Sequence, residues 1–147
     1  MTLARRTSDR AADTADPVRT RLAAAGVAVV TVSAGLGLRA VAAGSVAKYG
    51  GDVLYTVLLL TLVVLVAPRV TPLTAAGTAV AVSWAVEFLQ LSEVPAELSQ
   101  RSVVARLVLG STFNPPDLFW YAVGGAAGWL VHTAMGSFPS RPRTRRG

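Results

Sequence analysis

The chain has 147 residues and no cysteine, which excludes disulfides, thiolate catalysis and a cysteine metal site. Charged residues make up only 15% against 52% hydrophobic ones, and the mean hydropathy is +0.51, whereas an average soluble domain has roughly a quarter charged residues. The net charge of +6 does not indicate a nucleic-acid partner, because most arginines flank apolar runs instead of clustering on a folded face.

The charges lie mainly at the two ends of the chain. Residues 1–21 hold five arginines and three aspartates, and residues 137–147 hold four arginines and no acid. We expect both segments to be disordered tails, and residues 22–136 to form a membrane domain. One histidine and no cysteine make a zinc site improbable, so we predict no metal and no cofactor.

Four apolar runs predict an all-α fold. Each is roughly 15–20 residues long, close to the ~20 that cross a bilayer core as a helix. The valine-rich second run would suit a buried strand in water, but its length and neighbours favour a helix in lipid. We therefore predict a four-helix membrane bundle, with spans at residues 22–38, 53–67, 73–91 and 118–136.

The links between the runs differ in length. The short turn at residues 68–72 predicts a tight helical hairpin between Pro68 and Pro72. The long link at residues 92–116 contains a segment with valines and leucines on one helical side and Ser99, Ser102 and Arg106 on the other. It predicts a short amphipathic helix that lies at the interface.

Counting basic residues predicts the orientation. With four spans, the two termini and the 68–72 turn share one side, and this side holds ten of the fourteen basic residues. It should be cytoplasmic, with the protein in the inner (plasma) membrane. An alternative is that the first span is a cleaved signal peptide, since Ala40-Val41-Ala42 resembles a small-residue cleavage site.

The intramembrane polar residues converge at one depth. Span order places the acids of spans two, three and four at the outer end of each helix, and within each helix the polar residues recur at i+3 or i+4. A carboxylate in the hydrocarbon normally faces the bundle interior and finds a partner there. The predicted site consists of Lys48, Asp52, Tyr55, Glu87, Gln90, Arg106, Asp117 and Tyr121.

Structural roles remain open for several of these residues. Asp52 and Asp117 would each cap a helix start, where an acid suits the helix dipole. Glu87 would make a hydrogen bond to a neighbouring helix. The aromatic residues near the spans' ends, together with His132, fit interfacial positions. The Gly124-x-x-x-Gly128 spacing predicts close helix packing, and it is a weakly specific pattern.

Three motifs carry a resemblance to a family. The motifs are "KYGGD" followed by "LY", "EFLQL" and "LVLGSTFNPPDLFWYAVGG". Through them the chain resembles the bacterial membrane proteins grouped as domain of unknown function 2809. That group in turn resembles the VanZ-like proteins in its four spans and in the acid near the end of the third. The resemblance covers about residues 22–132. It implies a membrane location and a link to the cell envelope, without an established reaction.

These observations favour a binding or accessory membrane protein. Its partners would be the lipid bilayer and an anionic lipid headgroup or envelope precursor, with a homo-oligomer as a further possibility. A structural or assembly subunit, an enzyme on a lipid-linked substrate and a transporter are the alternatives. The absence of a serine or cysteine nucleophile motif argues against an enzyme. Four short spans would form a poor conduit, which argues against a transporter.

Overall fold

The computed structural model describes residues 17–110 and 112–136. Within these ranges the chain forms six α-helices and no β-strand. The predicted disordered tails lie mostly outside the described residues, but 17–21 belong to the first helix. The helices are α1 Pro17–Val41, α2 Gly44–Val66, α3 Pro72–Leu89, α4 Val94–Arg101, α5 Val103–Leu109 and α6 Pro115–Gly136.

The first link is much shorter than predicted. The sequence indicated a linker at residues 39–52, but α1 ends at Val41 and α2 begins at Gly44, whose φ of 59° makes the tight turn. The glycines of "KYGGD" lie inside α2. A Cβ atom on Gly50 would lie 2.5 Å from Leu38 Cδ2, so this glycine allows α1 to approach closely and does not break the helix.

The second link is the tight hairpin that the sequence predicted. α2 ends at Val66, and α3 begins at Pro72 with Thr71 as its N-cap, whose side chain accepts a hydrogen bond from the Thr74 amide. At the same end Arg21 Nε donates to the Leu65 carbonyl oxygen at 3.1 Å and ties α1 to the end of α2.

The predicted single amphipathic helix in the third link is two helices. Ser102 breaks it with extended backbone, and its hydroxyl caps α5 by accepting from the Ala105 amide. The apolar side chains of α5 pack against no core: Val103 is 61% exposed and Val104 69%.

The packing of the long helices positions the site. α2 contacts α1, α3 and α6, and α3 contacts α6. α2 and α6 run in parallel, with Gly124 opposite Val53 and Gly128 opposite Leu60, while α3 runs antiparallel to both. Two neighbouring glycines let α6 fit between its partners, since a Cβ atom on Gly124 would meet α2 and one on Gly125 would meet Val80 of α3.

Among the residues that the structure describes, three helices are long and apolar enough to cross a membrane: α1, α2 and α3. Their outer faces carry exposed large apolar side chains, as lipid-facing helices do. This indicates a membrane protein. α6 has 22 residues, but it falls outside this set because glycines, aromatic residues and His132 lower its hydropathy.

Candidate functional site

The candidate site lies where three chain segments meet at one end of the long helices. α2 contributes its first half, α3 its last turn, and α6 its first two turns together with the preceding Asn114. These elements bring six residues together, which we call the polar cluster: Lys48, Asp52, Glu87, Asn114, Asp117 and Tyr121. The end of the molecule that holds them is called the cluster end.

Glu87 is the most buried member of the polar cluster, with no exposed surface. Its Oε1 accepts a hydrogen bond from the Asn114 backbone amide at 2.5 Å, and its Oε2 accepts one from the Tyr121 hydroxyl at 3.1 Å. Both donors belong to the start of α6, so this carboxylate fastens α3 to α6. A buried carboxylate with both oxygens hydrogen-bonded satisfies the usual requirement for burying such a group.

Asp117 is 4% exposed and joins α6 to α2. Its Oδ2 lies 2.5 Å from Lys48 Nζ, and its Oδ1 accepts a hydrogen bond from the Asn114 side chain. Asp117 lies in the first turn of α6, where an acid suits the helix dipole. Its oxygens nevertheless bind two side chains, so this acid also fixes Lys48 and Asn114.

Asp52 was expected to start a helix, but it lies in the third turn of α2, one turn beyond Lys48. A capping role is therefore wrong for Asp52. Its Oδ2 is buried and has no hydrogen-bond partner in the described part of the chain. An unpaired buried carboxylate oxygen is uncommon, and no described residue supplies its donor.

A line of hydroxyl groups continues from Asp52 toward the middle of the helices. Thr56 and Ser83 are fully buried, and their hydroxyl oxygens lie 3.1 Å apart between α2 and α3. Thr56 Oγ1 also donates to the Asp52 carbonyl oxygen at 3.3 Å, and Ser83 Oγ donates to the Ala79 carbonyl oxygen at 2.9 Å. These contacts close the inner side of the polar cluster.

Gln90 lies beside the polar cluster and holds the third link. Its Nε2 donates to the Leu109 carbonyl oxygen at 2.6 Å, and its Oε1 is buried without a partner among the described residues. Gly110 is required here for two reasons: its φ is 65°, and a Cβ atom would lie 2.6 Å from Gln90 Nε2. The carbonyl oxygen of Gly110 also accepts from Ser99 Oγ at 2.8 Å.

Arg106 is not brought into the polar cluster. Its side chain is exposed on α5, and the one ion pair between described residues is Lys48–Asp117. The expectation that Arg106 lies with the acids is therefore not met by the structure, because the break at Ser102 directs α5 separately from α4. Lys48 is the cationic member of the cluster, with a side chain 44% exposed.

The aromatic residues divide into two groups. Tyr121 is 6% exposed and donates to Glu87, so it is part of the polar network and does not lie in an interfacial belt. Tyr55 packs near it, with ring centroids 6.1 Å apart. Tyr49 stacks on Trp120 at 5.3 Å, close to Lys48, which lies 5.9 Å from the Tyr49 ring centroid.

Two members of the network were missed from the sequence: Asn114 and Thr56. Asn114 precedes Pro115-Pro116, which is a helix-start signal, so its position just before α6 was detectable. Its backbone donation to Glu87 was not, because that contact joins positions 27 residues apart. Thr56 follows Asp52 by four residues, and this spacing could have placed it on the same helix face as Asp52.

The charges of the polar cluster are unbalanced. Three carboxylates face one lysine, and in the described ranges no group of histidines, cysteines and acids is arranged to hold a metal ion. Burial, shared hydrogen bonds and one half-exposed cation give a site suited to binding a polar group and fixing its orientation.

The fold and this site define a class: a small all-α protein with several apolar helices and a polar cluster at one end. The chain belongs to the family described as protein of unknown function (DUF2809), which matches residues 41–125. The matched range contains the whole polar cluster. No curated protein and no solved structure matches the chain significantly.

Proposed function

We propose that this chain is a multi-pass protein of the bacterial inner membrane that binds the polar headgroup of a lipid or of a lipid-linked envelope precursor. α6 would be the fourth span, and both termini would be cytoplasmic. The polar cluster would then face the outer leaflet. A role in the cell envelope is what the resemblance of the sequence motifs to VanZ-like proteins implies. The excess of basic residues on the opposite side supports the orientation.

One observation carries the proposal: Asp52 Oδ2 is a buried acceptor without a partner, one helical turn from the half-exposed Lys48. An ammonium group has three donors, and Asp117 occupies one of them. Lys48 can therefore still donate to a phosphate, while Asp52 accepts from a hydroxyl or an amine. The headgroup that fits carries both a phosphate and a hydrogen-bond donor.

The experiment compares the lipids that co-purify with the protein. Asp52→Asn replaces one carboxylate oxygen by an NH₂ group and removes no described side-chain contact. We therefore expect a folded protein that has lost the acceptor for the headgroup and no longer holds the bound lipid. Glu97→Gln is the matched control, because Glu97 is an exposed acid on α4. Mass spectrometry of the extracted lipids should show a species in the wild type and in Glu97→Gln that is depleted in Asp52→Asn. Identical lipids in all three would refute the proposal.

A structural role is the second candidate, and a different observation favours it. The oxygens of Glu87 and Asp117 are all hydrogen-bonded or ion-paired within the chain. If the polar cluster served only to join helices, replacing these two residues would lower the stability, and Asp52→Asn would change neither the stability nor the lipid content. The same set of variants therefore separates the two roles.

A further inference from the structure

A cavity of about 580 Å³ lies at the end of the long helices opposite the polar cluster. α1 and α6 both pack against α2 and leave a gap between them. Residues from all three helices line it, among them Ala23 of α1, Val64 of α2 and Ala127 of α6. The volume is within the range of about 300–1,000 Å³ that is typical of ligand pockets.

The shape of this cavity suits a hydrocarbon chain. Its lining extends from residue 19 to residue 27 on α1 and from residue 127 to residue 135 on α6. At about 1.5 Å per residue, each stretch is about 12 Å long, close to the roughly 15 Å of one hydrocarbon leaflet. Ala23, Ala127 and Val131 keep exposed surface, so the cavity is open to the surroundings of the helices.

The rim of the cavity is positively charged. Arg19 lines it, and Arg21 and Arg69 lie at the same end of the helices. The described acids are all in the half of the molecule that holds the polar cluster or in the third link, and none of them pairs with these arginines. Arginine at a membrane surface attracts anionic lipids by about 1 kcal/mol per residue.

A polar group also remains unsatisfied in this cavity. His132 lines it, and its Nδ1 is buried without a hydrogen-bond partner among the described residues. An imidazole nitrogen can accept or donate a hydrogen bond, and an ester or phosphate oxygen of a lipid would supply an acceptor. The cavity thus combines an apolar trough, a cationic rim and one unpaired polar atom.

From these features we propose a second binding site, which holds one anionic phospholipid. One acyl chain lies in the cavity and the phosphate contacts Arg19. This site is at the other end of the helices from the polar cluster and does not depend on the function proposed for that cluster. It extends beyond residue 125, where the family match ends, and includes residues of α1 before the match begins.

The test measures binding of two lipids to the full-length, delipidated protein in detergent by native mass spectrometry. The probes are phosphatidylglycerol, which is anionic, and phosphatidylcholine, which is not. We expect tighter binding of phosphatidylglycerol. Arg19→Gln should abolish this preference, whereas Arg39→Gln, at the far end of α1, should keep it. Equal affinity for the two lipids, or equal effects of both arginine variants, would overturn the proposal.

A second pair of variants tests the acyl-chain contact. Ala127→Leu fills part of the cavity from an exposed position. It should weaken the binding of both lipids about ten-fold, because a few methylene groups of the acyl chain can no longer be buried there. Ala134→Leu is the control, because Ala134 is exposed on the same helix and does not line the cavity. An unchanged affinity in Ala127→Leu would overturn the placement of the chain.

A third arm separates a lipid from a free phosphate. Glycerol phosphate carries the same anionic group without a chain, so an excess of it should leave most of the phosphatidylglycerol bound. Complete displacement by this excess would identify a phosphate site without an acyl-chain contact and would contradict the proposal.

Discussion

Glu87 lies inside α3 with no exposed surface, and both of its oxygens accept hydrogen bonds from the start of α6. Replacing it by an apolar residue removes two acceptors and leaves the Asn114 amide without its partner. Each unsatisfied buried group costs about 1–3 kcal/mol. An amide at this position keeps one acceptor oxygen and can donate to the Tyr121 hydroxyl, which accepts as well as donates.

We therefore predict that Glu87→Leu lowers the free energy of unfolding by about 1–3 kcal/mol more than Glu87→Gln does. Denaturant titration of the two purified variants in detergent checks this. Equal stabilities would mean that the contacts of Glu87 with α6 do not stabilise the fold.

The pair of Lys48 and Asp117 allows a rescue experiment. Lys48→Met leaves the 4% exposed Asp117 without its cation, and breaking a buried pair in this way costs about 3–5 kcal/mol. Lys48 is 44% exposed, so water screens the pair and we expect a smaller loss of about 1–3 kcal/mol.

Adding Asp117→Asn to Lys48→Met should recover at least half of that loss, because the buried residue 117 is then neutral and no longer needs the cation. Thermal unfolding of the wild type, both single variants and the double variant provides the cycle. Losses that simply add in the double variant would show that the ion pair does not couple the two helices.

At the residue level, the sequence predicted the acids better than their partners. Asp52, Glu87 and Asp117 lie at one end because helix order alone decides which ends meet. Their partners depend on side-chain reach and on breaks in the backbone. Arg106 was expected near the acids, but the break at Ser102 removes it from them.

At the level of the elements, α2 begins nine residues earlier than the apolar pattern indicated. Lysine, aspartate and paired glycines are typical of a linker. The hydropathy pattern therefore placed the start of the span after these residues. In the folded chain, Lys48 is paired with α6 and Gly50 contacts Leu38 of α1, so tertiary packing outweighs local preference. The bounds of α3 were predicted to within two residues, because Pro72 marks its start.

Glycine substitutions test the packing of α6. A Cβ atom on Gly124 would lie 2.6 Å from the Val53 carbonyl oxygen, which belongs to the backbone and cannot move aside cheaply. We predict that Gly124→Ala lowers the melting temperature clearly, with a cost of about 1–3 kcal/mol for overpacking. Gly128→Ala should cost less, because its neighbour is the flexible Leu60 side chain.

Gly77→Ala is the matched control for this pair. Gly77 lies within α3 with no atom near its added Cβ, so alanine should leave the stability unchanged or raise it by about 0.5–1 kcal/mol. Melting curves that rank Gly77→Ala below Gly124→Ala would contradict the packing described for α6.

The exposed apolar side of α5 predicts contact with the bilayer. Since the chain has no native cysteine, spin labels can be placed singly at Leu107→Cys on α5 and at Gln100→Cys on α4. In vesicles we expect the label at position 107 to be more accessible to oxygen, which concentrates in lipid, and the label at position 100 to be more accessible to a water-soluble reagent. The reverse order would place α5 in water.

At the level of the whole molecule, the two ends of the long helices differ in chemistry. The polar cluster holds three carboxylates and one lysine, whereas the opposite end holds Arg19, Arg21 and Arg69. This asymmetry is the basis of the proposed orientation, in which the arginine-bearing end faces the cytoplasm. Composition alone predicted this asymmetry. The sequence also predicted a fourth span at residues 118–136, and this stays a prediction, since α6 is less apolar than the three long helices before it.

Cysteine labelling in intact cells with a membrane-impermeant maleimide tests whether the polar cluster lies on the outer side of the membrane. The single variants are Ser45→Cys and Thr112→Cys at the cluster end, and Thr71→Cys and Gly136→Cys at the opposite end. We expect labelling of positions 45 and 112 in intact cells, and of positions 71 and 136 only after permeabilisation. If positions 112 and 136 were labelled alike, α6 would not cross the membrane, and the polar cluster could not form one outer surface with α2 and α3.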